Sequence, residues 1–572
     1  MAAWKGIAWR KVQRHVFHLQ KRISQATQCG QVRTVRKLQN LLVKSWYARL
    51  LAVRRISQDN RGKHTAGIDG VKSLTPAQRW RLAMTIRLGG QATPLRRTWI
   101  AKRGSAEGKR PLGIPTQRDR AQQTLVRQAL EPAWEARLSP HTYGFRPGRS
   151  CWDAIEAIFH AIKFRPQWAL KVDLAKCFDR ICHEALLAKF QASAAMRRQI
   201  KAWLKAGIMV DHQLFPTLAG TPQGGSISPL LALLALDGMD EAVRQVYPRA
   251  RVIAYADDAV VLHEDRQVLE HIRQLLRTWL AKIGLGLNEA KSHLSHTLEG
   301  DQPGFDFLGF HIRPYRVGKY QSGKAPKGRR LGYKTLIKPA KANIQEPLSE
   351  LGQIIKRGKA RSQGELIRQL NPKIRGWANY YRTSASKAVY PRLDDLLWQK
   401  LRAWSHRRHS RKSIGWVMKR YWHRLDTRLA FATSPTSPDA VHLHTHHEVA
   451  ITRHVKVTGN RSPSDGDWVY WSTRQGRPPG VSPSLAKLLK GQHGRCRYCG
   501  LFFQHDDRIE VDHLNGDRRD SRSANLQALH GHCHDAKTRE QGDHLPPGMR
   551  DKHRNTEERC ETKASCTVLE QW

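Results

Sequence analysis

Apolar residues recur at three- and four-residue spacing over residues 1–60, which predicts helices with one buried face. The positions are Val32, Val35, Leu38, Leu42, Trp46 and Leu50. Arg and Lys fill the opposite positions, which form either an ordinary solvated face or a basic extension that contacts RNA. Helical patterns return over residues 116–165 and 183–210, and a loop rich in Gly and Pro at 143–149 interrupts the first of them.

Two short apolar stretches have the length and composition of buried strands. Residues 168–174 contain Asp173 near their end, and residues 252–262 are interrupted by Asp257 and Asp258. Strong strand signals on both sides of a charged pair predict a hairpin with the pair at its turn. We therefore expect two carboxylates to be held side by side between strands.

The remaining patterns are less regular. Residues 61–115 show no regular helix or strand pattern, whereas the pattern of residues 320–425 is helical and strongly basic. Residues 430–490 are polar and rich in Ser, Pro and His, which predicts a linker with room for a small domain.

Aromatic residues alternate with cations in the basic helical stretch. They are Trp377, Tyr380, Tyr381, Trp398, Trp404, Trp416, Tyr421 and Trp422. Rings interleaved with cations suit single-stranded nucleic acid, by stacking and phosphate contact. The alternative is that the rings form a helical core, which we expect for most of the tryptophans.

The net charge of the chain indicates the class of partner that the protein binds. The 572 residues include 99 Lys and Arg against 48 Asp and Glu, a formal net charge of +51. An excess of this size repels itself unless a polyanion neutralises it, and nucleic acid binds such surfaces by releasing counterions. An anionic membrane surface is the weaker alternative, because the sequence has no amphipathic anchor or lipidation motif.

The sequence has no feature typical of membrane or secreted proteins. It contains no run of 18 apolar residues, and its N-terminus lacks the apolar segment of a signal peptide. Nine cysteines in so long a chain do not suggest a disulfide framework. We expect a cytoplasmic protein with reduced thiols, in which paired cysteines would suggest metal binding.

The pair Asp257 and Asp258 is the strongest chemical signal. Adjacent carboxylates raise each other's pKa unless a cation compensates them. Mg²⁺ is the cation that prefers such hard oxygen ligands, and two metal ions in one site are the polymerase arrangement. The alternative is a surface hairpin whose acidic turn is merely solvated.

A polymerase site needs a third carboxylate on a neighbouring strand, and Asp173 is the candidate. Taken alone, Asp173 could equally be a turn former or a helix cap. A glycine-rich segment at 220–229 precedes an apolar helix, and glycines allow backbone to approach a substrate closely. Gln223 in that segment could hydrogen-bond the incoming nucleotide or the template base pair.

The ordered motifs resemble those of group II intron-encoded reverse transcriptases, also called maturases. In chain order they occupy residues 67–70, 110–115, 143–150, 173–179, 221–225, 255–258, 286–291 and 307–310. The resemblance covers residues 60–425 as polymerase and maturase regions and resumes at 491–540 as a nuclease module. It implies an α+β multidomain protein: a right-hand reverse transcriptase with fingers, palm and a helical thumb, followed by a ββα-metal HNH nuclease with a zinc site.

The resemblance also implies residue roles. Asp173, Asp257 and Asp258 would bind two Mg²⁺ ions, and Phe178 would be the gate that excludes a ribose 2′-hydroxyl and so selects dNTPs. The other expected substrate-binding residues are Gln223, Lys109, Arg110 and Lys291. Lys102 and Arg103 compete with Lys109 and Arg110 for the triphosphate, to which an arginine fork is suited.

A second site is expected near the C-terminus. Cys496 and Cys499 form a CxxC pair, and His530 with Cys533 would complete a tetrahedral, structural Zn²⁺ site. His530 stands where the HNH family usually has a third cysteine, and His532 is an alternative ligand. The zinc knuckle could exist without nuclease activity, and a redox CxxC is a further alternative.

The HNH pattern is matched by His513, Asn525 and His534. The resemblance makes His513 the general base, Asp512 and His534 ligands of one divalent ion, and Asn525 the residue that orients the loop carrying the base. These residues are not needed for zinc binding alone, which favours a nuclease over a bare zinc knuckle.

The resemblance implies a multifunctional protein of intron mobility, of bacterial type and associated with the nucleoid during mobility. It would bind the intron RNA that encodes it, assist splicing, nick target DNA, and prime cDNA synthesis in retrohoming. Alternatives are a related reverse transcriptase with a host defence role and a splicing-only RNA-binding maturase. The expected domains are a basic extension (1–60), fingers and palm (61–315), thumb and maturase domain (316–425), a DNA-binding linker (426–490) and the nuclease with a polar tail (491–572).

Overall fold

The computed structural model describes residues 2–101, 108–425, 428–434, 436, 440–475, 481–504, 507–517, 520 and 522–543. The helices are α1 (Ala2–Lys5), α2 (Trp9–Gln28), α3 (Val32–Lys44), α4 (Trp46–Arg54), α5 (Pro76–Thr85), α6 (Gln117–Glu135), α7 (Cys151–Ile162), α8 (Cys177–Arg180), α9 (His183–Ala188), α10 (Ala194–Leu204), α11 (Ser228–Leu236), α12 (Met239–Val246), α13 (Arg266–Ala281), α14 (Lys341–Arg357), α15 (Gln363–Tyr381), α16 (Val389–Arg408), α17 (Ile414–Tyr421), α18 (Trp468–Gln475), α19 (Pro483–Gly491) and α20 (Gly531–Asp543).

The strands form several small sheets. They are β1 (Leu95–Ala101), β2 (Lys109–Ile114), β3 (Trp168–Asp173), β4 (Ile208–Val210), β5 (Gln213–Phe215), β6 (Arg251–Tyr255), β7 (Asp258–His263), β8 (His293–His296), β9 (Phe305–Phe307), β10 (Phe310–Arg316), β11 (Tyr333–Pro339), β12 (Trp422–Leu425), β13 (Arg428–Phe431), β14 (Ile509–His513) and β15 (Leu526–His530). No helix in the described ranges combines the length and hydropathy needed to cross a bilayer.

The N-terminal helices bury the predicted apolar face. Val35, Leu38 and Leu42 of α3 lie in a core shared with α2, α4 and α6. Their three- and four-residue spacing places them on one side of the helix, as expected. The amphipathic prediction is confirmed for these residues, whereas Val32, in the first turn of α3, keeps 43% of its surface exposed.

An antiparallel sheet of order β6-β7-β3-β8, here the central sheet, lies between two cores. Leu170 and Val172 of β3 pack into the first core, whereas Ala169 packs into the second, which includes α7. Because side chains alternate between faces, burial on both sides gives the continuous apolar runs seen in the sequence. The predicted hairpin is present as β6 and β7.

Residues 61–115 are more ordered than their pattern suggested. They contain α5 and the antiparallel hairpin β1–β2, which continues through β4 and β5 into a second four-stranded sheet. The predicted helix over 183–210 ends early, because residues 208–210 form β4 and pair with β1. Pairing between residues far apart in sequence leaves no local periodic signal.

The basic region over residues 320–425 is mainly helical. Its strands are β11, which pairs with β10, and β12, which pairs with β13. Trp404 and Trp422 are buried in the helical core, so the core interpretation is confirmed for them. Trp416 keeps 38% of its surface exposed and remains a possible stacking residue.

The prediction of a linker at 430–490 is wrong for residues 454–474. Asp153, a fully buried acid in α7, accepts hydrogen bonds from the Val457 amide at 2.8 Å and the Arg474 guanidinium at 2.6 Å. The ring of Trp471 lies so close to Gly148 that a Cβ there would approach it to 2.4 Å. A buried carboxylate needs hydrogen-bond donors, and residues 457 and 474 supply them. The segment 454–474 therefore packs against α7 and the loop before it.

The C-terminal module has the expected ββα order. Strands β14 and β15 pair antiparallel, and α20 follows directly. A small core around Phe503, Ala528 and Leu529 holds the hairpin against the cysteine cluster. The polar tail expected beyond residue 540 lies almost wholly outside the described residues.

Candidate active sites

The three predicted carboxylates meet at one end of the central sheet. The β3–β7 register places Asp173 directly opposite Asp258, and Asp257 lies in the turn that joins β6 to β7. Burial, followed by the charge of Asp173, raises the pKa of Asp257. Burial raises the pKa of Asp258 to about 7, and the charges of Asp257 and Asp173 add to the rise. The raised pKa values of Asp257 and Asp258 mean that nearby Lys and Arg side chains do not neutralise the three carboxylates.

Asp173 is held by a loop that follows α13. The side-chain amide of Asn288 donates to its Oδ1 at 3.1 Å, and the Asn288 backbone amide donates to its carbonyl oxygen at 2.8 Å. Nζ of Lys291 lies 3.9 Å from Asp173 Oδ2. The motif around Asn288 therefore positions the Asp173 carboxylate, a role that the sequence did not reveal.

The acidic turn is packed against the loop before α7. A Cβ placed on Gly144 would lie 2.1 Å from the Ala256 amide nitrogen and 2.7 Å from the Tyr255 carbonyl carbon. Ala256 itself has a φ of 56°, in the left-handed region. Only glycine permits this backbone contact, which holds the turn that carries Asp257.

The glycine-rich loop lies beside Phe178. Backbone hydrogen bonds join Thr221 to the Phe178 carbonyl at 2.6 Å and Gly113 to the Gln223 carbonyl at 2.7 Å. The Gln223 side chain donates to Asp179 at 3.4 Å, and the Phe178 ring packs edge-on against Phe145 at 5.8 Å. The loop thus connects the predicted gate to β2, the strand that carries Lys109 and Arg110.

The predicted triphosphate residues are only partly located. Arg110 is near enough to Asp257 to oppose the rise of its pKa, which places its charge beside the acidic turn. Arg97 of β1 was not singled out from the sequence. Burial lowers the pKa of its guanidinium, and the nearby Asp179 carboxylate opposes that fall. Lys102 and Arg103 lie outside the described residues.

The expected zinc ligands are brought together. One donor atom from each of Cys496, Cys499, His530 and Cys533 lies within 4.8 Å of the other three. The neighbouring thiols of Cys499 and Cys533 lower the pKa of Cys496, which favours a thiolate. Three sulfurs and one imidazole are a donor set that fits Zn²⁺. His532 lies outside this set and stacks on the His530 ring instead, at 5.1 Å.

The predicted nuclease residues lie on the hairpin and the helix after it. Nε2 of His534 is 3.5 Å from Asp512, and its Nδ1 is 2.8 Å from Glu510. The hydrogen bond to Glu510 raises the pKa of His534. Asn525 accepts from the Asn515 amide at 3.1 Å and donates to the Asp520 carbonyl at 3.0 Å. It therefore ties together the loop that follows His513.

Two nuclease neighbours escaped the sequence analysis. Glu510 lies two residues before Asp512, so both point to one face of β14. Lys537, three residues after His534 on α20, donates to Asp512 at 2.6 Å and to the His513 carbonyl at 2.7 Å. Strand and helix spacing could have identified both.

Four family models match the chain in this order. They are the N-terminal domain of reverse transcriptase (residues 4–86), reverse transcriptase, an RNA-dependent DNA polymerase (100–312), the maturase-specific domain of group II introns (344–422) and the HNH endonuclease (496–540).

Curated relatives agree with these matches. Protein YkfC of Escherichia coli strain K12 is 31% identical over 338 residues, which cover 49% of this chain and 84% of that protein. The chain belongs to the group II intron-encoded reverse transcriptases. Group II intron-encoded protein LtrA of Lactococcus lactis subsp. cremoris is 28% identical over 404 residues, 56% of this chain and 66% of LtrA. Maturase-like protein 1 of Euglena gracilis is 26% identical over 403 residues, 68% of this chain and 79% of that protein.

This group II intron-encoded protein therefore combines three domain types in one multifunctional enzyme. Reverse transcriptase, maturase and HNH endonuclease regions follow each other along the chain. The family assignment and the fold class expected from the motifs are confirmed.

Proposed function

We propose that the protein copies RNA into DNA at Asp173, Asp257 and Asp258, which would hold two Mg²⁺ ions. The observation that carries this proposal is the raised pKa of Asp257 and Asp258 in a cluster with Asp173, because uncompensated carboxylate oxygens are the donors that Mg²⁺ prefers. Such ions would stabilise the negative charge that develops on the attacking primer 3′-oxygen and on the leaving pyrophosphate.

The surrounding residues would select and orient the dNTP. Phe178, supported by Phe145, would close the space beside the ribose 2′-position. Gln223 would contact the nascent base pair, and the hydrogen bond that its carbonyl accepts from the Gly113 amide fixes the loop against β2. Lys109, Arg110 and Lys291 would bind the phosphates, since cations stabilise the triphosphate at close range.

The second proposed activity is cleavage of one target DNA strand. Asp512 and His534 would hold a divalent ion, and His513 would take a proton from water. The hydrogen bonds of Asn525 to both sides of the following loop support its role in orienting His513. The cysteine cluster would hold Zn²⁺ as a structural ion.

The two activities would act in sequence during intron mobility. The basic helical region would bind the intron RNA and assist its splicing, with positive charge and shape-matched contacts. After the RNA inserts into one DNA strand, the nuclease would cut the other. The released 3′-hydroxyl would prime cDNA synthesis at the carboxylate cluster.

Replacement of Asp257 tests the polymerase assignment. Asp257→Asn keeps the side-chain shape but removes the charge, so primer extension on an RNA template should fall to background. Splicing assistance with the cognate intron RNA should persist, because RNA binding does not use this carboxylate. Continued extension would show that the site lies elsewhere, and parallel loss of splicing would indicate misfolding.

A further inference from the structure

His530 is the unusual member of the cysteine cluster. Its Nδ1 lies 3.3 Å from the Cys499 sulfur and 3.9 Å from the Cys533 sulfur, so this nitrogen faces the metal position. Its Nε2 points the other way. That atom is buried and makes no well-aligned hydrogen bond within the described part of the chain. A cysteine at this position would have no second polar atom to satisfy.

Asp507 is the charged neighbour of this buried nitrogen. Its Oδ2 lies 3.3 Å from His530 Nε2, and its side chain is only 2% exposed. The Gln504 amide donates to the same oxygen at 2.6 Å, which fixes the carboxylate. A ligating histidine commonly gives its second N–H to a carboxylate, which sets the tautomer and the ring orientation.

The other oxygen of Asp507, Oδ1, lies beside Arg55 in the N-terminal helical region. Nη2 of Arg55, the first residue of a π-helical turn at Arg55–Asp59, lies 3.6 Å from Oδ1. Arg55 is 14% exposed, so this contact is largely shielded from water. The carboxylate therefore bridges the cysteine cluster and the N-terminal helices.

We propose that Asp507 is a positioning residue that makes His530 a competent zinc ligand in place of a cysteine and couples the zinc site to Arg55. When the metal is bound, the carboxylate accepts a hydrogen bond from Nε2–H, which keeps the proton on Nε2 and leaves Nδ1 free to bind the metal. Arg55 balances the remaining negative charge, which a buried carboxylate requires. This inference rests on the proposed zinc occupancy of the cluster.

The test uses full-length protein and measures zinc directly. Zinc per chain is determined by mass spectrometry, and its release to a chromogenic chelator is followed over time. Asp507→Asn should release zinc about 10- to 100-fold faster than the wild type, the range found for partners of metal ligands. Asp520→Asn is the matched control, because its carboxylate pairs with Arg522 inside its own loop, and its release rate should not change.

A second background separates positioning from general support of the fold. His530→Cys removes the imidazole, so adding Asp507→Asn to that variant should leave zinc release within about threefold of His530→Cys alone. Equal acceleration in both backgrounds would overturn the proposal and make Asp507 a purely structural residue. If Asp507→Asn fails to fold, recovery of a folded, zinc-containing double variant supports the proposal, and failure of the double variant overturns it.

The remaining outcomes distinguish this inference from the proposed zinc site. Wild-type protein without zinc would refute zinc occupancy and remove the basis of the inference. Zinc-containing wild type with unchanged release in Asp507→Asn would leave the zinc site intact and refute the role of Asp507.

Discussion

Gly144→Ala offers a steric test of how the turn that carries Asp257 is held. The added methyl carbon would lie 2.1 Å from the Ala256 nitrogen, whereas ordinary Cβ contacts begin near 3.4 Å. The turn must therefore retreat by about 1.3 Å, because both partners are backbone and cannot rotate away. A displacement of about 1 Å at reacting groups costs roughly 100-fold in rate.

The assay is steady-state primer extension on an RNA template. We expect kcat to fall by about 100-fold or more, with a loss of unfolding free energy of about 1–3 kcal/mol for overpacking. Thermal melts report whether the region around the central sheet is folded. DNA nicking by the HNH module, which has its own core, only normalises the amount of intact protein.

Gly286→Ala is the matched control. Gly286 accepts a hydrogen bond from the Ala175 amide at 2.9 Å, close to the same carboxylates, yet a Cβ there meets no atom within 4 Å. Its activity should stay near that of the wild type. If Gly144→Ala extends primers as fast as Gly286→Ala, the contact with the turn does not position Asp257, and the reasoning fails.

Three further predictions concern charge and proton transfer. Because burial raises the pKa of Asp258 from 3.8 to about 7, the folded state without Mg²⁺ loses stability as pH rises through this range. In EDTA, Asp258→Asn should therefore be more stable than wild type above pH 7, by up to about 4 kcal/mol, with the difference vanishing near pH 4 in thermal melts. Asn288→Ala removes a hydrogen bond to Asp173 and should raise the Mg²⁺ concentration for half-maximal extension about tenfold; an unchanged Mg²⁺ titration would contradict this. His513→Ala should stop nicking of target DNA but leave extension of an annealed primer unchanged, and loss of both activities would indicate a folding role instead.

Local sequence determined the secondary structure around both candidate sites. Apolar runs of strand length identified β3, β6 and β7, and the CxxC pair with His530 and Cys533 identified the cysteine cluster. These signals are local because strand pattern and ligand spacing depend on residues only a few positions apart. The order of the motifs then identified the family.

The tertiary structure decided the contacts between residues that are distant in sequence, which local patterns do not predict. The contact of Gly144 with Ala256 and the bonds from residues 457 and 474 to Asp153, 304 and 321 positions away, depend on how separate elements pack. The same applies to the approach of Arg55 to Asp507. Such contacts leave no periodic trace, because their partners are distant in sequence and each residue has an ordinary local role. The sequence alone therefore identified the candidate site residues, and only the folded chain decided which residues hold them in place.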